Sequence, residues 1–445
     1  MAKETAAWSV ETLGDLDLLS ASFKEKAFSG SAARAKADLM KAASVGLDKM
    51  GAGVQDPLSA FWIPGRIEVL GKHTDYAGGR SLLVTTERGF CFAASPRKDQ
   101  ILRITDVVNS LDTEFVLHPD LLPEVGQWTN YPVTVARRLC RNFGLDRGAN
   151  IAFASDLPQA SGMSSSSAMI VGFALLLINV NGLDGRKAYQ DNVKSSEDLA
   201  GYLGTIENGQ NFGTLEGDKG VGTFGGSEDH TAMICSKANH LSQYAYCPVV
   251  FERSVPLPDD LAFIVSYSGV VAQKTGEAMH LYNRASRLAA ASAKVWSQHS
   301  GTAANHLGSA LMYCKGDPEP IREAMSVVSR NEFTSEELLD RFDHFYAESE
   351  LIVPAAGDAL LNRDLAEFGA QVDRSQDLGS RLLKNQVPEL QSLARIARDL
   401  GAHAASAFGA GFGGSVWALA DKAGINELCS EWQARYLEAY PETKG

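Results

Sequence analysis

The stretch Asp156–Ala168, DLPQASGMSSSSA, joins a strand-like run to a long apolar run of helical length. Backbone amides at a helix start have no intrahelical partners and carry the positive end of the helix dipole, so such a turn suits a phosphate group. Simple capping of the helix by serine is the alternative. Four consecutive serines after Gly162 favour phosphate, and the sequence therefore predicts an anion site ahead of a helix that begins near Ser165.

The order of elements around this turn predicts an α+β fold. Short β-like runs, AFWIP, RIEVL, SLLVTT and GFCFAA, follow residue 60, and strand and helix patterns then alternate irregularly rather than as βαβ units. No Gly-Lys-Ser/Thr follows the serine turn, which argues against a P-loop. No GxGxxG opens a βαβ unit, so a dinucleotide site is not indicated either.

Composition excludes several classes of protein. The 445-residue chain has a formal net charge of −13, which disfavours a general nucleic-acid binder or an anionic-membrane binder. The longest apolar run, Met169–Val180, is shorter than the roughly 20 residues that span a membrane. Six cysteines are scattered without a CxxC pair. We expect a cytoplasmic monomer or weak homo-oligomer, with neither nucleic acid nor membrane as partner.

Two further glycine clusters make the interpretation of the serine turn more specific. GRIEVLGKHTDYAGG at residues 65–79 and FGAGFGGS at residues 408–415 flank it in the chain. Together the three motifs resemble the signatures of the GHMP kinases, and the first is most similar to that of the galactokinases. The resemblance covers about residues 60–418.

This resemblance implies a two-domain GHMP kinase fold of the α+β class, with the active site between the domains. We expect a mixed-sheet N-terminal domain at residues 59–245 and a helix-rich α+β C-terminal domain at residues 246–445. Residues 1–58 form a helical segment outside the resemblance.

The implied activity is ATP-dependent phosphorylation of a monosaccharide at its anomeric hydroxyl, with ATP and Mg²⁺ as cofactors. By resemblance, Trp128 and Tyr131 line the adenine site, and Mg²⁺ is shared by Glu207 and a serine, Ser166 or its neighbour Ser165. The residues expected to hold the triphosphate are Pro158, Ser161, Gly162, Met163, Ser164, Ser165 and Ser166.

The resemblance also implies the reacting groups and the sugar contacts. Asp229 matches the family base, and Arg66 matches the arginine paired with it. A base that accepts the hydroxyl proton and a cation that stabilises the developing charge are what phosphoryl transfer requires. The residues expected to bind the sugar are Arg66, Lys72, His73, Asp75, Gly226, Asp229 and Tyr282.

Lys72 departs from the galactokinase pattern, because the family has a glutamate there that contacts the sugar 6-hydroxyl. An ammonium suits a carboxylate, so one hypothesis is a hexuronate such as galacturonate as substrate. The other is that Lys72 turns away to pair with an acid such as Glu68, leaving galactose as substrate. A non-catalytic sugar sensor on the same fold is an alternative of another class. The HTDY sequence argues against mevalonate or homoserine as the substrate.

Overall fold

The structure is a computed structural model that describes residues 8–158, 161–271, 277–328 and 332–443. Strand and helix patterns alternate as the sequence predicts. The strands are β1 Ser59–Leu70, β2 Arg80–Pro96, β3 Ile101–Asp106, β4 Leu111–Val116, β5 Ala149–Ser155, β6 His240–Ala245, β7 Val250–Pro256, β8 Leu261–Tyr267, β9 Ala404–Ala407 and β10 Ser415–Asp421.

The α-helices make up much of the remaining length of both halves. They are α1 Val10–Gly14, α2 Leu16–Glu25, α3 Gly30–Lys49, α4 Asn130–Phe143, α5 Ser165–Asn181, α6 Lys187–Asn192, α7 Ser196–Asn208, α8 Glu228–Cys235, α9 Glu277–Ser300, α10 Leu307–Tyr313, α11 Glu319–Ser326, α12 Ser335–Tyr346, α13 Val353–Leu361, α14 Leu365–Leu378, α15 Pro388–Asp399 and α16 Ile425–Ala439. Two short π-helical segments, Ala347–Ile352 and Gly379–Leu383, continue α12 and α14.

A seven-stranded mixed sheet forms the first half, in the order β4-β3-β5-β2-β6-β7 with β1 paired to β2. The long strand β2 organises it, because β5 pairs with its second half and β6 with its first few residues. Strands β3 and β5 are parallel and the other pairs are antiparallel. The predicted mixed sheet and α+β class are confirmed.

Strand β2 alternates its side chains between two helical layers. Phe90 and Phe92 point into the core that contains α5, whereas Cys91 and Ala93 pack against the cluster formed by α1–α3. Side chains of a strand point to opposite faces in turn, so a continuous apolar run indicates that both faces are covered. The N-terminal helices therefore cover the sheet face opposite α5.

The second half carries an antiparallel three-stranded sheet in the order β8-β10-β9. Helices α15 and α16 pack on it, and a separate apolar cluster joins α9–α12. Strand β7 lies beyond residue 245 but pairs with β6 of the larger sheet. The exact domain limits stay a prediction. Among the residues described, no helix is both long and apolar enough to cross a bilayer.

Gly46 of α3 tests the packing of the N-terminal helices on the sheet. A Cβ at Gly46 would lie 2.9 Å from Ala152 Cβ and 3.0 Å from Val107 Cγ2, whereas a Cβ at Gly30 meets nothing within 4 Å. We expect Gly46→Val to lower the free energy of unfolding by about 1–3 kcal/mol through overpacking. Urea unfolding measures this loss. Gly30→Val is the matched control, and an equal loss in both variants would contradict the packing described.

Candidate active site

The serine turn lies between the end of β5 and the start of α5, as predicted. Gly162 and Ser164 have left-handed backbones, with φ of 82° and 61°. The first backbone amides of α5 have no intrahelical partners, as at any helix start. The Ser161 hydroxyl forms a hydrogen bond within the turn, because its Oγ donates to the Pro158 carbonyl over 2.8 Å. Gln159 and Ala160 lie outside the described residues.

Arg66, on β1, joins this turn to the first turn of α8. Its Nε donates to Asp229 Oδ1 over 2.6 Å, and its Nη1 donates to the Gly162 carbonyl over 2.7 Å. The side chain is 5% exposed. Burial opposes a charged guanidinium, but Asp229 and Glu68 raise the pKa of Arg66 above its ordinary value. The predicted pair is thus present as a buried ion pair directly beside the phosphate turn.

Two serine hydroxyls at the start of α5 also contact the Asp229 carboxylate. Ser164 Oγ donates to Asp229 Oδ2, and Ser167 Oγ lies 3.2 Å from the same oxygen. Ser167 Oγ is also 2.8 Å from Glu207 Oε2. Sequence reasoning missed Ser167. Its spacing of three residues from Ser164 on a helix was the available signal, because residues at i and i+3 share a face.

The oxygen atoms around Glu207 fit a hard divalent cation. The Glu207 carboxylate and the Ser167 hydroxyl converge, and such cations prefer oxygen ligands. Ser166 instead hydrogen-bonds Tyr131, and burial followed by the nearby Glu207 raises the pKa of Tyr131 to about 12. Ser166 and Ser165 as metal ligands stay a prediction. The structure adds Ser167 as the serine nearest to Glu207.

Asp75 lies at the bend after β1 and faces the first turn of α8. Its Oδ1 accepts from the Tyr76 amide over 2.8 Å, and its Oδ2 accepts from the Glu228 amide over 3.1 Å. Burial raises the pKa of Asp75 to about 6. Gly226 must be glycine for this contact, because an added Cβ would collide with Asp75 Oδ2. The predicted sugar residues Asp75 and Gly226 thus lie together.

His73 and Tyr282 line one cavity together with Asp75 and Gly226. His73 has a left-handed backbone with φ of 57°, and its Nδ1 lies 2.7 Å from Tyr76 Oη. The rings of His73 and Tyr282 are 5.3 Å apart. The residues lining the cavity are Arg66, Glu68, His73, Asp75, Tyr76, Glu207, Gly225, Gly226, Glu228, Asp229, His230, Tyr282, Gly409 and Ala410.

Two of the residues expected to hold the nucleotide take part in the hydrophobic core. Trp128 packs against that core, with its ring 6.1 Å from the ring of Phe153. Met163 belongs to the same core and is 5% exposed. Their contacts with nucleotide stay a prediction.

Lys72 does not line the sugar cavity. Its Nζ donates to Ser375 Oγ over 3.0 Å and to Ser406 Oγ over 2.8 Å, and the side chain is 1% exposed. Ser375 Oγ donates in turn to Glu348 Oε1 over 2.9 Å. The structure gives no support to the predicted sugar contact of Lys72 or to the hexuronate hypothesis, because the ammonium is committed to an interior network. Lys72 does turn away, but toward Ser375 and Ser406 rather than to Glu68.

Comparison with known proteins agrees with this geometry. The chain matches the family model for the GHMP kinases N terminal domain over residues 130–214 and that for GHMP kinases C terminal over residues 358–438. Residues 53–96 match the galactokinase galactose-binding signature. The chain belongs to the GHMP kinase superfamily. The family recognised from the three motifs is thereby confirmed.

Curated relatives of this GHMP kinase include galactokinases. The protein from Chloroflexus aggregans is 27% identical over 380 residues, covering 84% of this chain and 86% of the relative. The protein from Chloroflexus aurantiacus is 29% identical over 364 residues, covering 80% and 82%. The crystal structure of Lactococcus lactis galactokinase complexed with galactose superposes with a TM-score of 0.70 at 21% identity, covering 86% of this chain and 91% of that one. That similarity supports the two-domain GHMP kinase fold.

Lys72 provides a stability test of its interior network. Lys72→Glu removes the ammonium that bonds Ser375 and Ser406 and buries a second carboxylate near Glu348, and an uncompensated buried charge of this kind costs about 3–5 kcal/mol. We expect a loss of that order in the free energy of unfolding by urea, with a smaller loss for Lys72→Met. Sugar discrimination by Lys72→Met should match that of the wild type. A Lys72→Met protein that unfolds normally but has lost sugar affinity would contradict this placement.

Asp75 provides a pH test. The unfolded carboxyl titrates near 3.8 and the folded one near 6, so between these values only the folded state keeps the proton. This group therefore lowers the free energy of unfolding as pH rises from about 4 to about 6, by about 3 kcal/mol. We expect the stability of the wild type relative to Asp75→Asn to fall over this interval in urea titrations. A difference that is constant with pH, or that rises, would contradict the burial of Asp75.

Proposed function

We propose that this protein transfers the γ-phosphoryl group of ATP to the anomeric hydroxyl of a neutral monosaccharide, galactose or a close relative. The observation that carries the proposal is the pair of hydrogen bonds that the Arg66 side chain donates. One guanidinium contacts both Asp229, beside the sugar cavity, and the Gly162 carbonyl of the phosphate turn. A base, a cation and an anion site therefore meet at one point, as phosphoryl transfer requires.

The roles of the reacting residues follow from their contacts. Asp229 accepts the proton of the anomeric hydroxyl as the new O–P bond forms and the bond to the leaving ADP breaks. Arg66 keeps Asp229 ionised before the reaction and stabilises negative charge on the transferred group. Ser164 holds the Asp229 carboxylate against the start of α5, which fixes its distance from the phosphate turn.

The turn residues and Glu207 bind the nucleotide and its metal. The first amides of α5 hold phosphate oxygens, and Trp128 and Tyr131 flank the adenine. Mg²⁺, held by Glu207 with Ser167 or Ser166, supplies neutralisation of phosphate charge when bound. The convergence of Ser167 on Glu207 supports this assignment.

Other features support a cytoplasmic sugar kinase. All six cysteines are free thiols, which suits the reducing cytoplasm. The polar side chains that line the cavity suit a small sugar as the partner, and we infer a monomer or weak homo-oligomer. Galactokinase relatives and the galactose-binding signature at residues 53–96 favour galactose among the candidate sugars.

A kinase assay with ATP and Mg²⁺ over galactose, galacturonate, glucuronate and arabinose tests the activity. We expect turnover of galactose or a neutral relative and none of the uronates. Asp229→Asn should lower kcat by about 10²–10⁴-fold, the size of a general-base contribution, with sugar binding retained. Coupled ADP release measures kcat, and calorimetry measures binding.

Asp112→Asn, an exposed substitution on β4, is the control and should leave kcat unchanged. Sugar binding without turnover by the wild type would favour the sensor alternative. Preferential turnover of a uronate would contradict the proposed substrate class.

A further inference from the structure

Two carboxyl groups in the sugar cavity have no part in the proposed chemistry. Glu68 lies on β1, two residues after Arg66, and Glu228 begins α8, one residue before Asp229. Their exposed fractions are 6% and 5%, and both line the cavity that contains Asp75 and Tyr282. Fully buried carboxyl groups are costly unless they are paired, so their presence here needs a reason.

The two groups act electrostatically on each other, and burial followed by the nearby Glu68 raises the pKa of Glu228 well above its ordinary value. Among the residues that the structure describes, Oε1 of Glu68 and Oε1 of Glu228 have no hydrogen-bond partner. Arg66 does not satisfy Glu68, because Nη2 lies 3.9 Å from Glu68 Oε2 and its other nitrogens bond Asp229 and Gly162. A carboxyl oxygen without a partner can accept a hydrogen bond from a hydroxyl group of a ligand.

The third glycine cluster is shaped around Glu68. A Cβ at Gly409 would collide with both carboxyl oxygens of Glu68. Close backbone approach is a specific use of glycine. The β9–β10 loop therefore encloses the carboxyl pair from the C-terminal half, while β1 and α8 supply it from the N-terminal half.

We infer that Glu68 and Glu228 form a specificity subsite that accepts hydrogen bonds from hydroxyl groups of a neutral sugar. This inference rests on the proposed function and narrows its substrate class. A buried acceptor without a partner costs free energy, because it has lost its hydrogen bonds to water. A sugar hydroxyl would supply a new hydrogen bond in their place. The subsite performs sugar recognition that Lys72 cannot perform from its interior position.

The charge of the cavity excludes acidic sugars. Five carboxyl side chains line it, from Glu68, Asp75, Glu207, Glu228 and Asp229, and the guanidinium of Arg66 is already bonded to one of them. A uronate carboxylate would meet mainly like charges, because Arg66 and Lys72, the cations that act on Glu68, are already bonded to other groups. A hydroxyl donor meets acceptors instead.

Deoxy analogues of the accepted sugar test the subsite. We expect Glu68→Gln and Glu228→Gln to raise the sugar KM by about tenfold to a hundredfold, the range for losing hydrogen bonds to charged groups. One deoxy analogue should already bind weakly to the wild type. Its KM should change little in either variant, because the hydroxyl that the subsite reads is absent.

Glu114→Gln, an exposed substitution on β4, is the matched control and should leave every KM unchanged. Thermal unfolding of each variant separates recognition from folding, and we expect Glu68→Gln and Glu228→Gln to be as stable as the wild type or more so. A parallel rise in KM for the sugar and all its deoxy analogues would overturn the subsite. A preference of the wild type for an amino sugar would do the same, because it would make the pair a cation site.

The proposed function is decided separately by the wild type in the same assay. Wild-type turnover with unchanged KM in both glutamine variants would reject only the subsite. Absence of both turnover and sugar binding in the wild type would reject the function itself.

Discussion

The buried guanidinium of Arg66 is the interaction on which the active site depends. It bonds both the Gly162 carbonyl of the serine turn and Asp229 in the first turn of α8 from its position on β1. A buried cation is tolerated only when its hydrogen bonds are satisfied, so Asp229 and the Gly162 carbonyl fix its position. Arg66 therefore joins the serine turn to Asp229, and the contacts of Ser164 with Asp229 and of Asp75 with the Glu228 amide support the same arrangement.

Lys72 shows how a residue inside a recognisable motif can serve the fold rather than the ligand. Its ammonium closes a network through Ser375, Ser406 and Glu348 that ties the sugar bend to the C-terminal half. Glu348 also accepts from the amide of Gly71 over 2.8 Å. The bend at residues 71–79 is thus positioned by interior polar contacts, and its side chains that line the candidate sugar cavity include Asp75 and His73.

Local sequence patterns predicted the α+β class and the serine turn, and the resemblance of the motifs to those of galactokinases predicted the Arg66–Asp229 pair. The role of Lys72 could not be predicted, since its partners lie about 300 residues away along the chain and no local signal marks them. Glu68 and Glu228 were missed for the same reason. Each looks like an ordinary surface acid until β1 and α8 are brought together around the cavity.

The central claim is that phosphoryl transfer takes place at the anomeric oxygen, where Arg66 and Asp229 meet the phosphate turn. Its most direct test is the position of the phosphate in the product, measured by phosphorus–proton coupling in NMR spectra of a reaction with ATP, Mg²⁺ and galactose. The account predicts coupling to the proton on C1. Phosphate on any other oxygen of the sugar, or no transfer while galactose binds in the cavity, would contradict it.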